Sequence, residues 1–325
     1  MSCLLFNIAI EPLAAALRSS ALRGFSLPGM TEKLVAKLFA DDTTVFLSEQ
    51  DDYSVLTKVT TTWCAGSRAK FNTDKTEVIP VGTREYRQRV LTEQKPGPTS
   101  SPFPAGTHIC ADGEAVRLLG AWVGNKTSPA IAWEPILARI EKNLRRWAKA
   151  HLTLRGKQLV VNMEIGGRTQ FLAKAQGMTL SVEKKIVSLI CAFIWDEGKS
   201  PMLPMAQLEL PVESGGLGLL NISARNEAID LMWLKSYLNL SSTRPAWALL
   251  ADVLMAKAIT ADAKNVDPEA RVNTFLQTWN VSTRMTAGLP TSLKKIVSAA
   301  KKHGLRVSVA NPTPALKGAM PAWYH

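Results

Sequence analysis

The sequence predicts an α+β fold, with short strands in the first third of the chain and mostly helices after it. Two runs rich in Val, Leu, Phe and Thr, residues 34–39 and 43–47, flank a short polar step, as strands of a hairpin do. From Ile131 onward, apolar residues recur at the spacing of amphipathic helices. Hydrophobic residues make up 46% of the 325 residues, which indicates a packed core and excludes a wholly disordered chain.

The first predicted element is a helix over residues 4–17. Its predicted apolar stripe consists of Leu5, Ala9, Leu13, Ala16 and Leu17. Pro12 lies inside this segment and predicts a kink or break, because proline lacks the backbone donor and clashes with the preceding turn. Gly24, Pro28 and Gly29 then predict a loop.

The predicted hairpin reverses at Ala40-Asp41-Asp42. Adjacent carboxylates repel each other, and we expect the apolar strands to limit their solvation. A divalent cation would relieve both effects, and Mg²⁺ commonly uses one or two protein carboxylates together with substrate phosphates. Two interpretations follow from these residues alone: a Mg²⁺ site for phosphoryl or nucleotidyl transfer, or a polar hairpin turn, in which aspartate is common.

The region up to residue 130 contains four further predicted elements. Asp51 and Asp52 favour the start of a helix over residues 53–65, and Gly66 would end it. A strand follows over residues 77–81. Residues 92–106, rich in Pro, Gly and Ser, predict a loop or linker without a packed core. Residues 108–110 and 115–123 are predicted to form a second hairpin around the turn 111–114.

The rest of the chain is predicted to be helical. The predicted helices cover residues 132–149, 155–175, 182–195 with Ser181 as its N-cap, 223–238, 245–259 and 291–303. In the first, the apolar stripe is Ile136, Ile140, Leu144 and Trp147. A basic row on roughly the opposite face consists of Arg139, Lys142, Arg146 and Lys149. Such a row can follow a phosphate backbone, and an ordinary solvated helix face has the same pattern.

The net charge of +12 suits a polyanionic partner, with nucleic acid as the first candidate, although an anionic membrane surface would also suit it. The four cysteines are far apart and form no CxxC pair, so we expect free thiols in a reducing compartment and no structural zinc. No signal peptide and no membrane-spanning apolar run is evident. We therefore expect a soluble intracellular protein, nuclear or cytoplasmic.

Four motifs, in this order along the chain, resemble the reverse transcriptases of non-LTR (LINE-type) retrotransposons. Residues 2–13, SCLLFNIAIEPL, resemble the tail of the motif before the palm aspartates, and Phe39-Ala40-Asp41-Asp42 resembles the Tyr/Phe-Ala-Asp-Asp box. Residues 69–76, AKFNTDKT, resemble the motif that follows, and residues 118–124, LLGAWVG, resemble the Leu-Gly hairpin at the palm–thumb junction. The resemblance is sharp over about 125 residues and looser to about residue 240.

This resemblance implies an incomplete polymerase palm of antiparallel strands with packed helices, followed by a mainly helical thumb. The domains it implies are a partial palm (1–91), a loop or linker (92–106), a palm–thumb hairpin (107–130), a helical thumb and post-thumb region (131–240) and a helical basic C-terminal region (241–325). The partners it implies are an RNA template, a DNA primer and deoxynucleoside triphosphates.

The resemblance also implies roles for single residues. Asp41 would be a direct ligand of a catalytic Mg²⁺ and Asp42 would support the same metal site. Lys75 would protonate or neutralise the departing pyrophosphate, unless it is a surface lysine at a strand edge. The hairpin containing Leu119 and Gly120 would grip the primer end. The basic row would lie beside the template–primer duplex.

In the family, a further catalytic aspartate and the fingers precede these motifs. They would lie before residue 1, so we expect little or no polymerase activity from this chain alone. The leading hypothesis is a fragment of an RNA-directed DNA polymerase. The alternatives are a non-enzymatic nucleic-acid-binding remnant and a decaying reading frame that folds poorly.

Overall fold

The structure, a computed structural model, describes residues 2–27, 30, 33–196, 201–241, 243–305 and 314–322. It confirms the α+β class: helices dominate, and the described strands form small sheets of two strands each. The chain divides into two compact units, Met1–Thr127 and Ser128–His325. All strands of the described part lie in the first unit.

The first unit contains three helices and six strands in its described part. They are α1 (Ser2–Ser19), β1 (Ala36–Phe39), β2 (Asp42–Val45), α2 (Tyr53–Ser67), β3 (Glu77–Val78), α3 (Arg84–Glu93), β4 (His108–Ile109), β5 (Val116–Leu118) and β6 (Ala121–Val123). A short 3₁₀ turn, Thr73–Lys75, precedes β3.

Helix α1 is unbroken, so the break predicted at Pro12 does not occur. Its buried residues are Ile10, Leu13, Ala14 and Leu17, which recur at helical spacing. The predicted stripe is wrong at Leu5, Ala9 and Ala16, which are exposed. Residues of α2 and β1 pack against Ile10, Leu13 and Leu17 of α1, whereas Leu4, Leu5, Phe6 and Ile8 in its first turns are exposed.

The predicted first hairpin is confirmed. Strands β1 and β2 pair antiparallel from Ala36 opposite Val45 to Phe39 opposite Asp42. Alternation places Leu38 and Val45 on the core face, where they meet α1 and α2. Helix α2 turns Val55, Val59 and Trp63 toward the same core. Gly66 does not end α2, because the helix continues to Ser67 and the left-handed residue that closes it is Arg68 (φ 61°).

The second hairpin differs from its prediction. Strand β4 pairs in parallel with β3, and the antiparallel partner of β5 is β6. The chain therefore reverses at Leu119-Gly120, with φ values of 49° and 84°. Two positive φ angles in a two-residue loop are the signature of a type I′ turn, whose twist suits a hairpin. Strand β3 is also shorter than predicted, since Pro80 follows it and cannot donate to a ladder.

Residues 92–106 are tied to helix α2, contrary to the prediction of a linker without packing. Phe103 is buried, and its ring meets the edge of the Tyr53 ring with centroids 5.1 Å apart. The backbone N–H of Tyr53 donates to Ser100 Oγ at 2.9 Å. Helix α3, which ends at Glu93 within this segment, was not predicted, because Val90 is its one buried residue and gives no periodic signal.

The second unit is built from helices in its described part. They are α4 (Pro129–Ala148), α5 (Leu154–Val160), α6 (Gly167–Gln176), α7 (Leu180–Trp195), α8 (Met205–Glu209), α9 (Ile222–Tyr237), α10 (Ala246–Lys257), α11 (Thr291–Lys302) and α12 (Pro314–Ala319). A π-helical segment, Val161–Gly166, joins α5 to α6. The N-cap of α7 is Thr179, whose hydroxyl accepts from the Val182 N–H, and not the predicted Ser181.

The glycines of residues 215–218 form turns. Gly216 N–H donates to Pro211 O and Gly218 N–H donates to Leu210 O, at 3.0 and 2.9 Å. The Gly218 carbonyl in turn accepts from the side-chain amides of Gln158 and Asn162. Hydrogen bonds to Gln158 and Asn162 thus fix residues 215–218 against α5 and the π segment.

One apolar cluster joins α9, α10 and α11 with the segments between them, and includes Trp279 and Val281. The predicted border between residues 240 and 241 lies within this cluster. Tyr237 is fully buried there, and its hydroxyl donates to Asp252 Oδ1 at 2.6 Å. Arg244 holds the same carboxylate with two hydrogen bonds of 2.6 and 3.0 Å.

Candidate functional site

The two predicted metal ligands lie where strand β1 turns back into β2. Ala40 and Asp41 form the two-residue reversal, and Ala40 takes a left-handed conformation (φ 51°) that alanine rarely adopts. Asp42 is the first residue of β2, opposite Phe39. Strand alternation places it on the solvent side of the hairpin, away from Leu38 and the core.

Asp41 and Asp42 are both exposed, so the expectation that apolar strands deprive them of water is wrong. Two unit charges 4 Å apart repel by about 1 kcal/mol in bulk water. A repulsion of that size is tolerated without a counter-ion. Phe39 beside them is also 68% exposed, so the described residues leave the side chains at the tip of this hairpin largely in solvent.

The donor chemistry of this pair fits Mg²⁺, which takes carboxylate oxygens and completes its shell with water and phosphate. In the described part of the chain, no group of three or more His, Cys, Asp or Glu side chains is placed to hold a metal ion. The aspartate pair therefore offers two carboxylates and leaves the remaining positions to other ligands.

A third aspartate, Asp51, has a structural function that the sequence did not reveal. It is buried, and its carboxylate accepts from the backbone N–H groups of Arg23 (2.6 Å), Gly24 (3.0 Å) and Ser48 (2.7 Å). These bonds join the loop after α1 to the end of the hairpin. Two of its three partners lie 27 and 28 residues away in sequence, which is why local patterns do not show them.

Asp52 is the N-cap of α2, as the sequence predicted for this pair of residues. Its carboxylate accepts from the Ser54 hydroxyl (2.5 Å) and from the backbone N–H groups of Ser54 (3.0 Å) and Ser101 (2.9 Å). These bonds, the Ser54 hydroxyl first, hold the pKa of Asp52 well below its usual range. The same residue thus starts the helix and anchors the loop at residues 100–103.

The other predicted residues of the first unit lie on separate elements. Lys75 is exposed at the end of the 3₁₀ turn before β3. Leu119 is 46% exposed at the tip of the β5–β6 hairpin, next to Gly120. Within the described residues, no hydrogen bond or ion pair connects Lys75 to Asp41. The structure places these residues in one unit without joining them into one cluster.

A charged cluster stands on strands β3 and β4 and the turn that follows. His108 contacts Glu77 through Nδ1 and Glu114 through Nε2, the latter at 2.9 Å. The hydrogen bond to Glu77 is the main reason why the pKa of His108 is raised. Asp112, in the same turn, accepts two hydrogen bonds of 2.7 and 2.9 Å from Arg87 of α3. The Arg87 guanidinium holds the pKa of Asp112 well below its usual range.

The basic row of α4 is exposed along its whole length. Arg139, Lys142, Arg146 and Lys149 all face solvent, and none of their side chains forms an ion pair or hydrogen bond in the described part of the protein. The opposite face is buried through Trp133, Leu137, Ile140 and Leu144. Ile136 and Trp147 of the predicted apolar stripe are only half-buried. From Arg139 to Lys149 the row extends about 15 Å.

Three lysines of α11 are engaged within the protein, in contrast to the α4 row. Lys295 donates to Met178 O at 2.6 Å, Lys301 to Val281 O at 3.3 Å, and Lys302 pairs with Glu227 at 2.7 Å. Their ammonium groups connect α11 to α9 and to two non-helical segments of the unit. The α4 row differs because its charges remain available to a ligand.

Among the described residues, no helix combines the length and the apolar character that crossing a bilayer requires. No protein-family model matches the chain, and no curated protein matches it.

Proposed function

We propose that this chain is part of an RNA-directed DNA polymerase of the non-LTR retrotransposon type. The observation that carries the proposal is the position of Asp41 and Asp42, adjacent and solvent-accessible at the reversal of an antiparallel hairpin. A metal ion and a nucleotide could approach such carboxylates. The order of the four motifs around them supports the same proposal.

In this proposal Asp41 is the direct metal ligand, Asp42 supports the metal site, and Lys75 interacts with the departing phosphates. When bound, Mg²⁺ would activate the primer 3′-hydroxyl and stabilise the leaving pyrophosphate. The exposed hairpin tip at Leu119-Gly120 would contact the primer. The partners are an RNA template, a DNA primer and deoxynucleoside triphosphates.

Primer extension on poly(rA) primed with oligo(dT), with dTTP and Mg²⁺, tests the proposal. We expect little or no synthesis by this chain alone, and synthesis when the family's preceding motifs are supplied at its N-terminus. Asp41→Asn should abolish that synthesis, because the amide is a poorer metal ligand than the carboxylate. Glu93→Gln, at an exposed carboxylate of the same unit outside the four motifs, is the matched control. Synthesis that survives Asp41→Asn would reject the assignment.

A second candidate, nucleic-acid binding without catalysis, is favoured by the α4 row. Its four cations are exposed and carry no internal partner in the described part of the protein. Each phosphate neutralised on duplex DNA releases counter-ions and adds about 0.9 to the slope of log affinity against log salt concentration. A row of four can therefore make binding steeply salt-dependent.

Charge removal on α4 distinguishes this candidate. We expect Arg146→Gln with Lys149→Gln to weaken binding of a DNA duplex and to reduce the salt slope by about 2. Lys264→Gln, at an exposed lysine elsewhere in the unit, should leave both unchanged. Asp41→Ala should also leave them unchanged. A salt slope that does not respond to the double variant would exclude the row from the binding surface.

A further inference from the structure

A straight row of apolar side chains lies in solvent on the helix formed by α5, the π segment and α6. It consists of Leu159, Met163 and Phe171, each 55% exposed, and we name it the apolar strip. Gly167 lies between Met163 and Phe171, and a side chain placed there would meet open space. The strip is about 18 Å long. Exposed apolar side chains that share one face of a helix are a feature of interaction sites.

The π segment is the reason why the strip is straight. In a regular α-helix, every fourth residue drifts by about 40° around the axis, so twelve residues would carry Phe171 about 120° away from Leu159. The wider turns of Val161–Gly166 cancel most of that drift. Buried residues on the opposite face, Val161, Ile165 and Leu172, confirm that the strip points away from the core.

The apolar strip runs beside the basic row of α4. Trp133 Nε1 donates to Gly177 O at 3.3 Å, and Asn143 Nδ2 donates to Glu164 Oε2 at 2.8 Å, so the two helices are antiparallel. Glu164 also accepts from Arg168 Nε at 2.6 Å, and it lies at the interface between the two helices.

This antiparallel arrangement sets the level of each cation along the strip. Lys149 is level with the Leu159 end, and Arg139 is level with the Phe171 end. Packed helices lie about 8–10 Å apart, so the cations border the strip along its length.

From this pairing of an apolar strip with a parallel basic row we infer a docking surface for an amphipathic helix of a partner protein. That helix would lay apolar residues on the strip and place acidic residues against the α4 cations. Anchors one turn apart are the usual signature of helix recognition, and methionine adapts well to such contacts.

Charge and side-chain type favour this occupant over two others. A second copy of the chain would bring a net charge of +12 against the cations of α4. Nucleic acid would pair with the cations, but only Phe171 offers a ring on which a base could stack, and Leu159 and Met163 would remain uncovered. An acidic amphipathic helix would cover the apolar strip and pair with the cations of the basic row.

The inference goes beyond the proposed function and is tested separately from it. The probe is a fluorescein-labelled helical peptide of about 18 residues, with leucine along one face and glutamate along the next. We expect it to bind the full chain in an anisotropy titration. Replacing its glutamates, or its leucines, by serine should each weaken binding by about tenfold.

The decisive comparison is the peptide affinity of variants in the apolar strip against that of a control variant. Met163→Ser and Phe171→Ser should each weaken peptide binding about tenfold, and Arg146→Gln should weaken it and lower its salt dependence. Met285→Ser is the matched control, since Met285 is 88% exposed in the same unit and lies outside the strip. Far-ultraviolet circular dichroism checks that each variant is folded.

Two results would overturn the inference. One is wild-type peptide affinity in both strip variants. The other is an equal loss of duplex DNA binding in those variants, which would assign the strip to a nucleic-acid surface. Peptide binding that depends on the strip, in a chain that binds no DNA, would support the inference and reject the proposed nucleic-acid function.

Discussion

Asp41 directly precedes strand β2, and Asp51 lies six residues beyond its end, in the opposite environment. Asp41 is exposed at the reversal, whereas Asp51 is buried and accepts three backbone hydrogen bonds. An exposed carboxylate is available for a ligand. A buried carboxylate that satisfies three N–H groups holds the fold, because removing it leaves those donors without partners.

We therefore predict opposite effects for two identical substitutions. Asp51→Ala should reduce the free energy of unfolding of the first unit by about 3 kcal/mol, because hydrogen bonds to a charged group contribute about 1.5–3 kcal/mol each and do not add fully. Asp41→Ala should change it by less than about 0.5 kcal/mol. Urea denaturation of both variants measures the difference. Equal stabilities would contradict the structural function given to Asp51.

His108 makes the stability of the first unit depend on pH. Its contacts with Glu77 and Glu114 raise its pKa above the ordinary value of 6.5. A raised pKa in the folded state means that protonated His108 stabilises the fold. That contribution is complete below the unfolded pKa and is lost as pH rises through the folded pKa.

The measurement compares the urea midpoint at pH 6 and pH 8.5. We expect the midpoint of the wild-type chain to fall between these values by more than that of His108→Gln, which cannot be protonated. A ring-proton NMR titration of His108 should show a midpoint above 6.5. Identical pH profiles for the two proteins would show that the Glu77 and Glu114 contacts do not stabilise protonated His108.

At the scale of single elements, the β5–β6 hairpin combines backbone strain with exposure. Leu119 has a left-handed φ of 49°, which costs an ordinary L-residue about 1–2 kcal/mol, and its side chain is 46% exposed at the tip. Packing therefore does not explain the leucine. Contact with a ligand would explain it, in line with the proposed contact with a primer.

Leu119→Asn should stabilise the first unit by about 0.5–1 kcal/mol, because Asn-Gly is the preferred pair for a type I′ turn. Leu119→Val should destabilise it, since a β-branched residue tolerates positive φ poorly. Thermal unfolding of the two variants measures both effects. A loss of stability in Leu119→Asn would show that the leucine is held by packing after all.

Elements were predictable from the sequence where local pattern and tertiary contacts agree. The β1–β2 hairpin has alternating apolar residues, and its core face is indeed covered by α1 and α2. The second hairpin was misplaced because Asp112-Gly113 gives a stronger local turn signal than Leu119-Gly120. The parallel partner of β4 is β3, from a distant part of the sequence, and local spacing cannot reveal it.

The candidate site, too, was predictable only where neighbours in sequence determine the structure. Asp41 and Asp42 were correctly placed at a strand reversal, since their neighbours in sequence determine that position. Their solvation was misjudged, because it depends on which parts of the molecule cover the hairpin tip. Asp51 was missed because Arg23 and Gly24 are its partners only in the folded chain.

At the scale of the whole molecule, each unit has its own core. In the first unit it is formed by α1, β1 and α2, and in the second the largest buried rings include Tyr237 and Trp279. A variant in one core should therefore act on that unit alone. Tyr237→Phe should destabilise the second unit by about 1–3 kcal/mol, because Asp252 and Asn273 both lose a buried partner.

We expect hydrogen exchange followed by mass spectrometry to resolve this separation. Asp51→Ala should accelerate exchange in peptides from residues 2–127, and Tyr237→Phe in peptides from residues 128–305. Each variant should leave the other unit at the wild-type rate. Acceleration in both units by either variant would show that they unfold together.

The π segment has a consequence for how this protein tolerates indels. Losing one residue near Gly166 would let the π segment wind as an ordinary α-helix, and Phe171 would then follow Leu159 by eleven residues at about 100° each. Eleven such steps make three turns and about 20°, so Phe171 would keep the phase of Leu159 and Met163, and Leu172 would stay in the core. A single-codon deletion there should consequently be tolerated better than one within α6, where regular winding would rotate the downstream residues by about 100°.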